Sequence, residues 1–553
     1  MTAATHQKSV PSEQTPLLGR LGKVHDAPRV PVTGVQGSAI MGAMGLLLFI
    51  QATQITAMTT AQSAIATEFD AFSVATWFSS VFLIGYSSIT PLSGRLCQIF
   101  TPRVYVFFTS SLLAVGLFIT AAAPNLTVFL AGRAVAGCGA GGQSVTALVL
   151  ALDLTSKKRR GLFLGLISAA MTTGIASGAV LSGLLTTVYG WRLIFWVQAP
   201  ITLLLAPIMF FAIPPQPEDR QDGQDGRTIL QKLAQVDYAG ALTLTLSVTL
   251  LLSSLASPTI RIAPILAFLF TTALFLTIES HYATQPIIPL HLIRQRPVHL
   301  TCLAGLLTMM ARWAVLFYTP VYAMVVRGWT PASAGLILVP TNAGFGLGGV
   351  LAGWLHIRHA QSYYRASLRA YALFALAALL LARLAVSAAP VLALVAATFL
   401  HGLAVGALLN YTLSHLLHLT PQAMHYLVGA LVGMSRGFAG SFGSAIGGGF
   451  FVRELQRGLL QGFAEHGVDA EREAELVRKL VGSPALVQGL RGVERVVAVA
   501  SYQAALQRLF LVSCVLILLA AGAQAGTGWR GTGSGTGSGG KAGDEGEEGD
   551  GRV

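Results

Sequence analysis

Two long apolar segments separated by one short basic loop constrain the fold of this chain more than any other feature. The segments cover residues 126–150 and 161–185, and the loop between them contains the sequence KKRR at 157–160. Each segment is long enough to cross a bilayer, because a transmembrane helix needs roughly 20 apolar residues. Small residues recur along both segments, as they do where helices pack closely in lipid. The pair therefore predicts two membrane-spanning helices joined on the cytosolic side, where basic loops lie.

The composition of the whole chain agrees with a membrane protein. Hydrophobic residues make up 53% of the 553 residues and charged residues only 11%, whereas soluble domains carry about 25% charged residues. These values predict an all-α polytopic membrane protein. Much of the net charge of +13 lies in short loops, where it orients the chain and meets anionic lipid, so it does not predict nucleic-acid binding.

Apolar segments of bilayer length predict about fourteen membrane-spanning helices. They cover residues 40–58, 74–94, 104–123, 126–150, 161–185, 193–213, 238–256, 262–278, 298–318, 332–355, 368–387, 391–411, 427–451 and 505–521. Lysine and arginine are concentrated in alternate loops, which places both chain termini in the cytosol.

The segments between these helices predict the domain organisation. We expect a disordered cytosolic tail over 1–37, a six-helix bundle over 38–213, a cytosolic linker over 214–237, two extra helices over 238–280, a cytosolic loop over 281–297, a second six-helix bundle over 298–522 with a long lumenal loop at 452–504, and a disordered cytosolic tail over 523–553.

The N-terminal tail contains a candidate sorting signal. Glu13 stands four positions before the pair Leu17-Leu18, which matches the acidic dileucine pattern that adaptor proteins read as an address. The alternative is an ordinary solvated tail, since short motifs also occur by chance.

Several motifs in the apolar segments match one family in order and spacing. Arg133 is followed by glycines from Gly137 to Gly142, a Gly-rich stretch holds Gly174, Gly178 and Gly183, and residues 190–200 read GWRLIFWVQAP. With these motifs the chain resembles the major facilitator superfamily, in particular its fourteen-span drug:proton antiporter branch. That branch includes fungal multidrug exporters and vacuolar basic amino acid transporters.

The resemblance implies a fold and an activity. It implies two six-helix bundles around a central cavity, with the two extra helices between them, and transport by alternating access. Small organic solutes are the implied substrates, amino acids first and basic amino acids by family, with protons as a candidate coupling ion. It further implies a monomer in the vacuolar membrane, and hinge or packing roles for Gly137, Gly174, Gly178 and Gly183.

Two departures from the family pattern concern acidic residues. The first helix carries Gln54 where the family usually has Asp, with Thr56 retained. The cytosolic motif after the second helix has Gln98 in place of its Asp, and Thr101 in place of its second Gly. We expect a cytosolic gate formed by four residues of this motif and of the neighbouring helix exit. They are Gly94, Arg103, Asp153 and Arg160.

Charged and polar residues inside the spans are the candidate substrate contacts, because intramembrane charges are costly. Arg133 either attracts an anionic group from the cavity or is a structural arginine bonded to Gln51 or Gln54. Arg312 either lines the cavity or lies about a turn below the lumenal surface. His401 is either a titrating group or a packed, hydrogen-bonded histidine. Gln51, Gln54 and Thr56 give helix one a polar stripe, suited to substrate contact or to helix packing.

No combination of residues predicts catalysis, a cofactor or a bound metal. His415, His418 and His425 cluster without cysteine or carboxylate partners, and no HExxH, P-loop or Gly-x-Ser-x-Gly motif occurs. The sequence therefore predicts a transporter rather than an enzyme. Two alternatives stay open, namely a plasma-membrane multidrug exporter and a non-transporting nutrient receptor on the same fold.

Overall fold

The structure is a computed structural model, and its regular elements are helical throughout the residues that it describes. These are residues 34–153, 160–215, 231, 233, 236–255, 260–282, 290–357, 362–421, 424–466 and 470–528. Within them, twelve helices are long and apolar enough to cross a membrane. The prediction of an all-α polytopic membrane protein is therefore confirmed.

The first half of the molecule consists of five long helices. They are α1 (Gly34–Glu68), α2 (Trp77–Ala121), α3 (Leu126–Asp153), α4 (Arg160–Tyr189) and α5 (Arg192–Ala212). Two further helices follow, α6 (Tyr238–Leu255) and α7 (Ile262–Thr277). A π-helical turn, Ile278–Tyr282, ends α7.

The second half begins after a short helix, α8 (Leu290–Ile293). Its helices are α9 (Arg296–Val325), α10 (Pro331–Leu336), α11 (Leu338–Val350), α12 (Tyr364–Leu384), α13 (Val391–Leu419), α14 (His425–Glu465), α15 (Ala470–Gly482) and α16 (Gly492–Ala525). A π-helical turn, Leu351–His356, follows α11, and a short 3₁₀ helix, Pro484–Gly489, follows α15.

Two predicted spans, at 126–150 and 427–451, are helical but are not among the twelve candidate spans. Each carries an arginine, Arg133 or Arg436, and several glycines. Both helices belong to the packed bundle nevertheless, since α3 lies along α2 and α14 lies along α9. Glycine allows this close contact: a Cβ added at Gly137 of α3 would lie 2.1 Å from the Phe82 carbonyl oxygen.

Two helices extend further than the sequence predicts, so that the loop expected at 452–504 is largely helical. Helix α14 continues to Glu465, and α16 already begins at Gly492. The extension of α14 has an apolar face, because Leu455, Leu459 and Phe463 are fully buried at a spacing of four residues. This face packs in the core, which a loop would not do.

One end of the helix bundle is tied together by polar contacts, and we call it the far face. Here Glu68, at the end of α1, pairs with Arg192 at the start of α5. Arg192 also donates to the Ala123 carbonyl, at 2.9 Å. The opposite end, where α1 begins, is the near face.

The two halves meet toward the far face. Near the start of α2, the hydroxyls of Ser80 and Ser444 on α14 lie 3.3 Å apart. Two turns deeper, Ser87 and Ser441 lie 2.6 Å apart. Helix α4 packs against α10 and α11, and α6 lies against both α2 and α14. The halves therefore contact each other along two helix pairs and through an extra helix.

A short segment lies across both halves at the far face, and we call it the far-face segment (residues 470–489). Its Arg478 pairs with Asp70 of the first half at 3.1 Å. In the same segment, the Ala485 amide donates to Ser63 at 3.4 Å. The segment is also bound to the second half, where Gln488 donates to the Trp329 carbonyl at 2.9 Å. It thus bridges the two halves.

Helix α2 replaces two predicted spans and is interrupted at Thr101. The backbone of Thr101 has φ 61° and ψ 149°, a conformation that is essentially restricted to glycine. Pro102 follows it and requires an extended residue before it, which accounts for the value of ψ. The strain falls on the position where the sequence motif usually has glycine.

Replacing Thr101 by glycine is expected to stabilise the protein. Strain at such a residue costs about 1–3 kcal/mol, and the conformational entropy lost by glycine returns only about 0.5–1 kcal/mol of that. Thr101→Gly should raise the thermal unfolding midpoint in detergent. Thr90→Gly, a matched change in the regular part of α2, should lower it. Equal destabilisation by both changes would contradict strain at Thr101.

Candidate functional site

Arg133 is fully buried, and each nitrogen of its guanidinium group has an acceptor. Nε donates to the Phe78 carbonyl at 3.1 Å. Nη1 donates to the Gln54 side-chain oxygen at 2.9 Å, and Nη2 to the Gln54 carbonyl at 3.2 Å. The ring of Phe82 lies 4.5 Å from the guanidinium carbon. This arrangement corresponds to the structural alternative, in which Arg133 is bonded to helix one.

Gln54 carries this network on to a third helix. Its amide nitrogen donates to the side-chain oxygen of Gln198 on α5. Helices α1, α3 and α5 are thereby connected by a chain of side chains from Arg133 through Gln54 to Gln198. A neutral amide fills the position where an Asp was expected and accepts from the arginine. The sequence analysis did not single out Gln198, although glutamine inside an apolar helix is itself an unusual feature.

The other polar residues of α1 face two different helices. Gln51 donates to Ser144 of α3 at 2.7 Å, and its side-chain oxygen is buried without a hydrogen-bond partner. Thr56 donates to the Ile175 carbonyl of α4 at 2.9 Å. Thr60 makes a similar bond to the Ala179 carbonyl at 3.0 Å. Thr56 is thus part of a row of hydroxyls that bonds α1 to α4.

Three of the four candidate hinge glycines pack helices within the first half. A Cβ added at Gly174 would lie 2.4 Å from the Phe49 carbonyl oxygen, and one at Gly178 would lie 2.3 Å from Thr56 Oγ1. Gly137 contacts α2 in the same way. Gly183 differs, because its added Cβ would lie 2.7 Å from the amide nitrogen of Ala332 in the second half. Of the four, only Gly183 lies between the halves.

Arg312 lies near the middle of α9 and is 2% exposed. The side chain is thus enclosed by neighbouring helices, and its position relative to the lumenal surface stays a prediction. Its Nη2 donates to the Asn342 side-chain oxygen of α11 at 2.9 Å. The ring of Phe345 lies 3.9 Å from its guanidinium carbon. Nη1 is buried and has no hydrogen-bond partner.

His401 lies on α13, next to this arginine. The ring is fully buried and packs against Phe374, with centroids 4.9 Å apart. Its Nδ1 lies 3.5 Å from the hydroxyl of Thr341 on α11, while Nε2 has no partner. The histidine is therefore packed, as one alternative had it, but it is only partly hydrogen-bonded.

The candidate gate at the near face is described in part. Arg103 stacks on Phe210 of α5, with its guanidinium carbon 4.1 Å from the ring centroid. A Cβ at Gly94 would meet no atom within 4 Å. The side chains of Asp153 and Arg160 lie outside the described residues, so their pairing with Arg103 stays a prediction. Glu13, Leu17 and Leu18 also lie outside the described residues.

Sequence reasoning missed the residues that complete the second-half site. Asn342 and Phe345 hold the guanidinium group of Arg312, and Thr341 holds His401. A signal was present, since Thr341 and Asn342 are adjacent polar residues within an apolar segment. Among the described residues there is no group of three or more potential metal ligands.

Known proteins that resemble this chain are transporters. It is 27% identical over 326 residues to "Efflux pump apf11" of Gibberella fujikuroi, covering 57% of this chain and 58% of that protein. It is 25% identical over 326 residues to "Vacuolar basic amino acid transporter 1" of Saccharomyces cerevisiae, covering 57% and 56%. The matched part thus spans less than three-fifths of each relative.

A solved structure supports the fold. A bacterial homolog to the human lysosomal transporter Spinster, in an inward-facing and occupied conformation, matches with a TM-score of 0.59 and 14% identity. The match covers 89% of this chain and 97% of that one. The sequence also matches the family model of the Major Facilitator Superfamily over residues 42–448. The chain therefore belongs to the Major Facilitator Superfamily.

Proposed function

We propose that this protein carries small organic solutes, amino acids first, across the vacuolar membrane by secondary active transport with alternating access. The observation that carries the mechanism is the contact between the halves at the far face. Serine pairs, the α4–α10 contact and the far-face segment all lie toward that end. A transporter of this architecture exposes its central site by separating such contacts on one side at a time.

The separable contacts are of the kind that a rocking motion breaks. They include hydrogen bonds between serine hydroxyls and an exposed ion pair, Asp70 with Arg478, beside the close helix approach at Gly183. Exposed pairs contribute only about 0–1 kcal/mol. Helix approaches at glycines also hold each half together, such as Gly178 against α1.

Amino acids are proposed as substrates on two grounds. One relative is a vacuolar basic amino acid transporter. In addition, a carboxylate is the natural partner of a buried arginine, and Arg312 lacks an acidic one in the described part of the chain. Efflux pumps among the relatives support multidrug export at the plasma membrane as the second candidate function.

Uptake into vesicles tests the activity. Vacuolar membrane vesicles enriched in the protein should accumulate labelled lysine, arginine, histidine or neutral amino acids in the presence of a proton gradient. Vesicles without the protein provide the background. Uptake that is unchanged when the gradient is collapsed would contradict active transport, and no uptake of any amino acid would favour drug export or a receptor.

A disulfide across the far face should stop transport reversibly. The hydroxyl oxygens of Ser80 and Ser444 are 3.3 Å apart, so cysteines there can adopt the short Cβ separation of a disulfide, about 3.5–4.5 Å. Oxidised Ser80→Cys/Ser444→Cys protein should lose uptake to near background, and a reducing agent should restore it.

The matched control is a pair that does not join the halves. Ser247 on α6 and Thr272 on α7 also have their hydroxyls in contact, at 2.5 Å. Oxidised Ser247→Cys/Thr272→Cys protein should keep its uptake. Full activity of the oxidised Ser80/Ser444 pair, with the cross-link verified by mass spectrometry, would rule out opening at the far face. That result would favour the alternative of a receptor that binds a solute without moving its halves.

Localisation separates the vacuolar proposal from its rival. If Glu13 and the Leu17-Leu18 pair form a sorting signal, Leu17→Ala/Leu18→Ala should shift a fluorescent fusion from the vacuolar to the plasma membrane. The control Val30→Ala/Val32→Ala changes the same tail outside the motif. A wild-type fusion at the plasma membrane would support the exporter instead.

A further inference from the structure

Each half buries one arginine almost completely, Arg133 or Arg312, and of these two only Arg133 has an acceptor for every nitrogen among the described residues. Arg133 donates hydrogen bonds from Nε, Nη1 and Nη2 to oxygens of Phe78 and Gln54. Arg312 donates from Nη2 to the Asn342 side-chain oxygen, and its Nη1 is buried without a hydrogen-bond partner among the described residues. A buried polar group without a partner costs about 1–3 kcal/mol, and more when it is charged. An open donor at Arg312 therefore requires an explanation that Arg133 does not.

A second open nitrogen lies on a helix that contacts α9. His401 Nε2 is buried and has no hydrogen-bond partner among the described residues, and its helix α13 packs against α9, which carries Arg312. If the Thr341 hydroxyl donates to Nδ1, the neutral imidazole carries its proton on Nε2. Helices α9 and α13 then each carry one N–H donor that makes no hydrogen bond to an acceptor among the described residues.

From this arrangement we propose that Arg312 and His401 bind the carboxylate group of the transported solute. A carboxylate has two acceptor oxygens and one negative charge, and so meets both donors and the guanidinium charge. Asn342 and Phe345 hold the guanidinium group from two sides and preorganise it for this role. The proposal rests on the proposed transport function and names the chemical group that its site recognises.

The position of the site suits alternating access. Arg312 is on α9, which contacts α1 of the first half, and Asn342 is on α11, which contacts α4. Trp313, next to Arg312, lies against Gly440 and Gly443 of α14. Two of the helices that carry the site, α9 and α11, thus contact the first half, and separation of the halves would uncover them. In this structure Arg312 is 2% exposed.

Binding of a minimal carboxylate tests the proposal without any transport. The probes are propionate and its neutral counterpart propionamide, added to the purified full-length protein in detergent at constant ionic strength. Propionate should raise the thermal unfolding midpoint, since a ligand of the native state stabilises it. Propionamide and added chloride should not. Equal shifts from propionate and chloride, or no shift from propionate, would overturn the proposal.

Variants of Arg312 assign the site. Arg312→Gln should weaken propionate binding about 10- to 100-fold, the loss expected for one hydrogen bond to a charged group. Arg436→Gln is the control, because Arg436 is a half-buried arginine of α14 whose Nη2 donates to the Leu409 carbonyl and to Thr412. Its Nε has no hydrogen-bond partner among the described residues, so the control also tests whether an unpaired arginine nitrogen alone is sufficient for binding. It should leave binding unchanged. Equal losses in both variants would contradict a specific site.

A pair of histidine variants keeps the test valid even where Arg312→Gln does not fold. The amide of Gln reaches the position of Nε2, whereas that of Asn reaches only the position of Nδ1. His401→Gln should therefore retain the propionate shift, and His401→Asn should lose it. The same shift in both would show that Nε2 does not contact the carboxylate. Because none of these readouts involves uptake, failure of this site and failure of transport are distinguishable.

Discussion

Direct contact between helix backbones at glycine residues holds each half of this protein together. The hydrophobic effect does not drive helices together inside lipid, so association depends on close packing and polar contacts. In the second half, α11 and α13 interlock through glycines from both sides, as a Cβ at Gly348 or Gly406 would lie 2.1 Å from a backbone oxygen of the other helix. In the first half, Gly137, Gly174 and Gly178 do the same. Rigid halves are the condition for alternating access.

Buried arginines distinguish the two halves chemically. In the first half, a glutamine at the expected acidic position satisfies Arg133 and passes the hydrogen-bond chain to Gln198. This half uses its charge for structure. In the second half, Arg312 is held by Asn342 and Phe345, but its Nη1 and His401 Nε2 lack hydrogen-bond partners among the described residues. This asymmetry is the basis on which we propose recognition in the second half and support in the first.

Motion of the halves is supported by weak contacts and local strain at opposite ends. At the far face, serine hydroxyls and the far-face segment bridge the halves through bonds that are individually small. Toward the near face, α2 is interrupted by a strained threonine in the loop motif that usually has glycine there. Strain of this kind persists where the surrounding structure enforces it, often at switch regions.

Composition and segment length by themselves determined that this is a helical membrane protein, because only helices of about 20 apolar residues satisfy their backbone groups across lipid. They also located nearly all the spans, and the order of motifs identified the family. The sequence did not determine which buried polar groups are satisfied. Arg133 and Arg312 look alike as arginines within apolar segments, and only the approach of Gln54 or Asn342 from distant parts of the chain separates them. Likewise, only the structure shows which helices the four glycines contact. A predicted loop became the end of α14, because neighbouring helices bury one of its faces. Such outcomes depend on contacts between residues far apart in sequence, and these exist only once the helices pack.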